Sequence, residues 1–160
     1  MLSSDYETKV KINKKELLNS TLFSSSPLTK TEAKQFSPLT LAFLGDAVYS
    51  LLVREMLVKA ANRPTNALHK ESIKLVNANC QAEMIKKVLN ELTEDEEAIF
   101  KRGRNAKAGT VPKNADLVDY RRATGFEALI GYLHLKKDFI RLNEIMEIAF
   151  DSAEDKKQEE

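Results

Sequence analysis

The chain has 160 residues, of which 42% are hydrophobic and 31% charged, a composition typical of one soluble globular domain with its own core. A net charge of +1 excludes a protein that binds nucleic acid through its overall charge, and the single Cys80 excludes an internal disulfide. No apolar run approaches the roughly 20 residues of a transmembrane helix, and the N-terminus lacks the order of a signal peptide. We therefore expect a cytoplasmic protein with no membrane partner.

The polarity of the chain divides it into three parts. Residues 1–35 are rich in Ser, Thr and Lys and predict an N-terminal extension, partly flexible, with at most one short helix. Residues 36–150 predict the folded domain, and residues 151–160 predict a flexible, solvated tail. Only 5 glycines and 4 prolines are present, which favours helices, and no stretch is a convincing strand. The predicted fold class is all-α.

A serine N-cap and a proline at the first helical position predict a helix over about 38–59. Phe43 widens its apolar surface beyond one face, which predicts either a central helix or a subunit interface. Asp46 lies in the middle of this apolar run, next to Gly45. Burial of a lone carboxylate is unfavourable by several kcal/mol or more, so this acid requires a partner. The inner apolar residues recur at intervals of three and four: Leu41, Leu44, Val48, Leu51 and Leu52.

Capping patterns predict the ends of the next helices. Thr65 is expected to cap a helix that continues to about residue 90, with a kink or short break near 77–80. Thr93 and the acid three residues later form a capping box that opens another helix. Gly103 is expected to end that helix in the left-handed conformation and to begin a loop over 103–114.

A later helix, beginning near Asp116, again carries one acid in a run of small and apolar residues. That acid is Glu127, and Gly125 and Gly131 lie on either side of it. Because glycine inside a helix is unfavourable by up to about 1 kcal/mol relative to alanine, these glycines predict close approach of another helix. A last amphipathic helix is expected to end near Asp151.

The main chemical hypothesis is that Asp46 and Glu127 meet although they are 81 positions apart. Two adjacent carboxylates repel each other until a proton or a cation relieves them. Mg²⁺ binds through one or two carboxylates and takes further oxygens from water and phosphate, so a two-acid site suits it. The alternative is that helix caps or lysines satisfy each acid separately.

Residues 101–122 contain seven cations and two acids, a local net charge of +5. Such a segment next to an acid pair would suit a phosphate backbone, and the backbone N–H groups near Gly103 and Gly109 would add contacts. The alternative is a solvated loop without a partner. Aromatic residues are not interleaved with the cations, which favours recognition of an A-form duplex over stacking on single-stranded bases.

Two motifs resemble a known family. Residues 41–48 (Leu-Ala-Phe-Leu-Gly-Asp-Ala-Val) resemble the signature helix of the ribonuclease III catalytic domain, and residues 126–131 resemble its second acidic motif. The stretches 101–109 and 66–70 resemble in particular the small bacterial members, Mini-ribonuclease III, which lack a double-stranded-RNA-binding domain. The resemblance covers roughly residues 36–150.

This resemblance implies an all-helical homodimer that cleaves double-stranded RNA with Mg²⁺, or Mn²⁺ as a substitute, and leaves 5′-phosphate and 3′-hydroxyl ends. It implies that Asp46 and Glu127 are catalytic and bind the metal, and that Phe43 lies at the dimer interface. The residues implied to bind RNA are Lys70, Arg102, Arg104, Asn105, Lys107 and Lys113.

The implied role within the subfamily is maturation of precursor 23S ribosomal RNA in ribosomal particles, with a ribosomal protein as a candidate partner. The alternative is a catalytically silent relative that binds structured RNA as a ribosome assembly factor. The sequence departs from the family where Leu39, Ala42 and Thr124 occupy positions at which larger relatives have acids. These departures predict a metal site with few carboxylates and leave open whether it holds one metal ion or two.

Overall fold

The computed structural model describes residues 26–107 and 109–151, and every regular element in these ranges is helical. The predicted all-α fold class is therefore confirmed. The remainder of the predicted extension, residues 1–25, and the predicted tail over 152–160 lie outside the described residues. The helices are α1 (Lys30–Gln35), α2 (Pro38–Ala60), α3 (Thr65–Val76), α4 (Ala78–Val88) with a 3₁₀ turn (Leu89–Glu91), α5 (Glu94–Asn105), α6 (Leu117–Leu135) and α7 (Phe139–Phe150).

Most helix ends follow from local hydrogen bonding. The hydroxyl of Ser37 accepts a bond from the first turn of α2 (3.1 Å), and Thr93 forms the predicted capping box of α5. The predicted break after α3 is present, where Asn77 ends one helix and caps the next. The prediction for Thr65 is wrong: it is the first residue of α3, because Pro64 already occupies the non-helical cap position.

The prediction for Gly103 is also wrong. No described glycine has a positive φ, and α5 continues through Gly103 to Asn105. A Cβ atom at Gly103 would lie 2.8 Å from the Cα atom of Gly125 and 2.8 Å from the Cβ atom of Ala128. Gly103 therefore allows α5 to pack closely against α6 and does not end the helix.

Helix α6 is the centre of the described fold, since α1, α2, α4, α5 and α7 all pack against it. Its residues over 126–133 are buried, apart from the half-buried Glu127. By contrast, one face of α2 is open: Phe43 is 84% exposed and Leu51 58% exposed. The wide apolar surface of α2 predicts either a central helix or a subunit interface. Because one face of α2 is exposed, the central helix is excluded.

Part of the predicted extension packs on the domain. The backbone N–H of Leu28 donates to the carbonyl of Leu135 at the end of α6 (3.1 Å), and Ala33 in α1 is fully buried. The ammonium group of Lys34 pairs with Asp95 at the start of α5. Residues 28–34 therefore contact the end of α6 and the start of α5. None of the helices in residues 26–107 and 109–151 is long and apolar enough to span a membrane.

Candidate active site

The candidate site lies where α2 crosses α6 with backbone against backbone. A Cβ atom at Gly45 would lie 1.7 Å from the carbonyl oxygen of Glu127, and one at Gly131 would lie 2.1 Å from that of Leu41. No side chain fits between the helices at these two points. The crossing therefore brings Asp46, which follows Gly45, next to Glu127.

The two acids differ in their exposure. Asp46 is exposed, whereas Glu127 is half-buried. The pKa of Glu127 is raised to about 7, mainly by burial and in addition by the negative charge of Asp46, while a hydrogen bond from the Gln81 side chain lowers it. The structure thus brings the two predicted acids into electrostatic contact.

The donor set suits a hard cation that keeps most of its water ligands. Among the described residues, no lysine or arginine forms an ion pair with Asp46 or Glu127. The same ranges contain no group of three or more His, Cys, Asp or Glu residues that could enclose a metal. A two-carboxylate site of this kind fits Mg²⁺, which binds through one or two carboxylates, waters and substrate phosphates.

The three positions that depart from the family pattern supply no replacement carboxylate. Leu39 is 38% exposed, and Ala42 lies on the buried side of α2. The hydroxyl of Thr124 donates to the carbonyl of Tyr120 in its own helix (3.0 Å), so this donor is already used. None of these three positions can therefore provide a carboxylate ligand to a metal.

Sequence reasoning missed Gln81, a buried amide on α4 that contacts the acid pair. It is 1% exposed, and its Nε2 atom donates to the carbonyl of Val76 (3.1 Å). Its side chain also hydrogen-bonds Glu127. The available signal was a polar residue in register with the apolar stripe of α4, formed by Met84, Ile85 and Val88.

The basic segment begins next to the acid pair. Because Gly103 packs against Ala128, which directly follows Glu127 in α6, the last turn of α5 lies beside the site. Arg104 and Asn105 belong to this turn, so the predicted loop begins three residues later than expected, at Ala106.

The predicted RNA-binding residues have different environments. Arg102 donates to the carbonyls of Lys34 (3.1 Å) and Phe36 (3.0 Å), which ties α5 to the end of α1. Arg104 lies over the ring of Phe100, with 5.6 Å between its guanidinium carbon and the ring centroid, and its Nε atom donates to Asn105 (3.3 Å).

Three of the predicted RNA-binding lysines are exposed to solvent. Lys107 and Lys113 lie in the segment between α5 and α6, and Lys70 lies on α3. None of them forms an ion pair with an acid in the described parts of the chain. By contrast, the nearby Lys101 pairs with Glu97 one turn earlier in α5 (2.6 Å). Lys107 and Lys113 therefore add positive charge without an acidic partner to the segment that follows α5.

The open face of α2 is apolar along most of its length. Leu39, Phe43, Ala47 and Leu51 recur at intervals of four and are all exposed. Beyond them, a cleft of about 570 Å³ separates the C-terminal half of α2 from α7. Its apolar lining consists of Leu52, Met56, Phe139, Leu142, Met146 and Phe150.

Residues 39–138 match the family model described as the Ribonuclease III domain. The chain belongs to the ribonuclease III family. The match includes both acidic motifs and the helices that carry them, and it confirms the family predicted from the sequence. A protein of this family is an endoribonuclease, so the acid pair lies in the domain of a phosphodiester-cleaving enzyme.

Relatives of similar length support this assignment to the ribonuclease III family. The chain is 51% identical over 122 residues to "Mini-ribonuclease 3" of Thermoanaerobacter sp. (strain X514), a match that covers 76% of this chain and 86% of the relative. It is 44% identical over 140 residues to "Mini-ribonuclease 3" of Clostridium tetani, with coverage of 86% and 92%. A crystal structure of a Fusobacterium nucleatum protein superposes with a TM-score of 0.67 at 34% identity and covers 73% of this chain and 93% of that one.

Proposed function

We propose that this ribonuclease III-family enzyme cleaves double-stranded RNA with Mg²⁺, for which Mn²⁺ can substitute, and that Asp46 and Glu127 hold the cation. The observation that carries the proposal is the electrostatic interaction of these two acids at the glycine crossing, with no ion pair to either acid among the described residues. Two carboxylates kept together in this way need a positive charge, and a divalent ion with a phosphate supplies the complementary ligands.

When bound, Mg²⁺ would supply an acidified water and would offset charge on the phosphodiester. The role of the protein is to position the two carboxylates. Asp46 offers its carboxylate from the solvent side, and Glu127 offers its carboxylate from the partly buried side. The backbone contact at Gly45 and Gly131 fixes the separation of the two helices, so the helices that carry the carboxylates do not have to move when substrate arrives. The products of this reaction would have 5′-phosphate and 3′-hydroxyl ends.

Cationic side chains beside the acid pair are proposed to hold the RNA backbone. Arg104 and Asn105 lie in the helical turn adjacent to α6, and Lys107 and Lys113 follow in the exposed segment. Each phosphate contact from such a residue releases counterions and makes binding dependent on salt. Two further residues complete the proposed RNA-binding set. They are Lys70 on α3, and Arg102 through those guanidinium N–H groups that do not bond the carbonyls of Lys34 and Phe36.

The exposed face of α2 supports a homodimer. A ring that is 84% exposed, as that of Phe43 is, together with neighbouring apolar residues is typical of an interface. In a symmetric dimer with antiparallel α2 helices, Phe43 of one copy would approach the C-terminal half of α2 in the other. That half borders the apolar cleft against α7, which offers a surface for the ring.

The proposed substrate is precursor 23S ribosomal RNA in ribosomal particles, in the cytoplasm, with a ribosomal protein as a further partner. Support comes from the similarity to proteins named Mini-ribonuclease 3 and from the single Cys80, which suits a reducing compartment. Purified protein incubated with a ribosomal RNA precursor and with a generic RNA duplex, in Mg²⁺ and in chelator, tests this. We expect metal-dependent cuts in both substrates and fewer, defined cuts in the precursor. Binding without any cut would instead identify a silent assembly factor.

A further inference from the structure

Helix α4 contributes a buried amide to the candidate site, and its hydrogen bonds are incomplete. Gln81 is 1% exposed, one of only three buried polar or charged side chains in the described part of the chain. Its amide nitrogen has two donors. One bonds the carbonyl of Val76 (3.1 Å), and the Glu127 carboxylate accepts a hydrogen bond from the same side chain.

The carbonyl oxygen of this amide is unused. Oε1 of Gln81 is buried and has no hydrogen-bond partner among the described residues. A buried acceptor without a donor is unfavourable and unusual in folded proteins. Here it belongs to the side chain that also bonds Glu127, one of the two proposed metal ligands.

The corner between α3 and α4 holds Gln81 in place. Asn77 caps α4 through the N–H of Cys80 (2.9 Å) and donates back to the carbonyl of Lys74 (2.7 Å). The Tyr49 hydroxyl from α2 donates to the carbonyl of Leu75 (2.7 Å). Because several side chains bond the last carbonyls of α3, the backbone that carries Gln81 stays fixed when one of these bonds is lost.

We propose that Gln81 is a positioning residue of the acid pair: its amide nitrogen orients Glu127, and its Oε1 accepts a hydrogen bond from a water of the bound cation. The inference rests on the proposed metal-dependent function and adds a third, uncharged side chain to a site with few carboxylates. Substitution of residues that hold metal ligands and metal-bound water in this way typically lowers metal affinity by about 10- to 100-fold.

The test is Mn²⁺ binding to RNA-free protein, measured by electron paramagnetic resonance or calorimetry, for wild type, Gln81→Leu and Gln81→Met. Both variants keep the side-chain volume approximately and remove the amide. We expect the Kd for Mn²⁺ to rise by about tenfold or more in each. The Mg²⁺ concentration for half-maximal cleavage should rise similarly, with much of the rate restored at high Mg²⁺.

Tyr49→Phe is the matched control, since it removes another hydrogen bond to the end of α3 and leaves the amide on Glu127. We expect it to lower the unfolding midpoint and to keep the wild-type Kd for Mn²⁺. Wild-type Kd in either folded Gln81 variant, or an equal loss in Tyr49→Phe, would overturn the positioning role. Failure of the wild type to bind Mn²⁺ or to cleave RNA would instead contradict the proposed function itself.

Discussion

Gly45 and Gly131 meet where α2 crosses α6, and neither position has room for a methyl group. This contact decides how close the two acidic helices lie, and it places Asp46 beside Glu127. The candidate site therefore depends on two residues that have no side chain and cannot contact a substrate through one.

Gly45→Ala measures how strongly the fold requires a glycine at the crossing of α2 and α6. Helix propensity alone would stabilise the variant by up to about 1 kcal/mol. Because the new methyl group would meet backbone that cannot rotate away, we expect instead a loss of about 3 kcal/mol or more in the free energy of unfolding. Urea denaturation measures the change. Gly109→Ala is the control, since nothing lies within 4 Å of a Cβ atom there, and an equal effect in both variants would contradict the packing argument.

Glu127 should give metal-free protein a specific pH dependence. Its pKa is raised from 4.5 to about 7, so between these values the folded protein keeps a proton that the unfolded chain has released. Stability should consequently fall as pH rises through this window. We expect Glu127→Gln to gain roughly 2 kcal/mol relative to wild type between about pH 5 and pH 8, measured by denaturation in chelator. A constant difference between the two proteins would mean that Glu127 titrates normally.

The basic segment should control the salt dependence of RNA binding. Arg104→Ala and Lys107→Ala each remove one proposed phosphate contact, so each should reduce the slope of log K against log salt by about 0.7–0.9. Binding to an RNA duplex in chelator at several salt concentrations gives the slope. Lys59→Ala is a suitable control because Lys59 pairs with Glu55 on α2 (2.6 Å). Unchanged slopes in the first two variants would remove them from the RNA interface.

Phe43→Ala should weaken the proposed dimer. Each dimer would lose two buried rings, which at about 2 kcal/mol each corresponds to a rise of at least about a hundredfold in the dimer Kd. Sedimentation over a range of protein concentrations measures that constant. Ile140→Ala, which truncates an apolar side chain 80% exposed on α7, should leave it unchanged. A monomeric wild type, or a dimer insensitive to Phe43, would contradict the interface.

The sequence predicted those features that depend on short-range hydrogen bonds. The serine cap of α2 and the capping box of α5 are examples, since each involves residues within one turn. The predictions failed where distant packing decides. Gly103 follows two basic residues, as a helix-ending glycine often does, yet its contact with Gly125 explains its presence inside α5. Leu51 fits the inner period of α2 and is nevertheless 58% exposed.

Only part of the candidate site could be predicted from the sequence. A lone acid in each of two apolar helices indicated that Asp46 and Glu127 would need a partner, and the flanking glycines indicated close packing. Gln81 was not predictable in this way, because the hydrogen bond to Glu127 connects positions 46 residues apart in the sequence and on different helices. A polar side chain on an apolar stripe has many possible partners until the fold is known.

The central claim is that Asp46 and Glu127 form a metal-dependent catalytic pair. Its most direct test is cleavage of an RNA duplex by wild type and by Asp46→Asn, each with Mg²⁺ and with chelator. We predict that wild type cuts only with Mg²⁺, and that the variant still binds the duplex while its cleavage rate falls by several orders of magnitude. Cleavage by Asp46→Asn at the wild-type rate, or cleavage by wild type in chelator, would contradict the account.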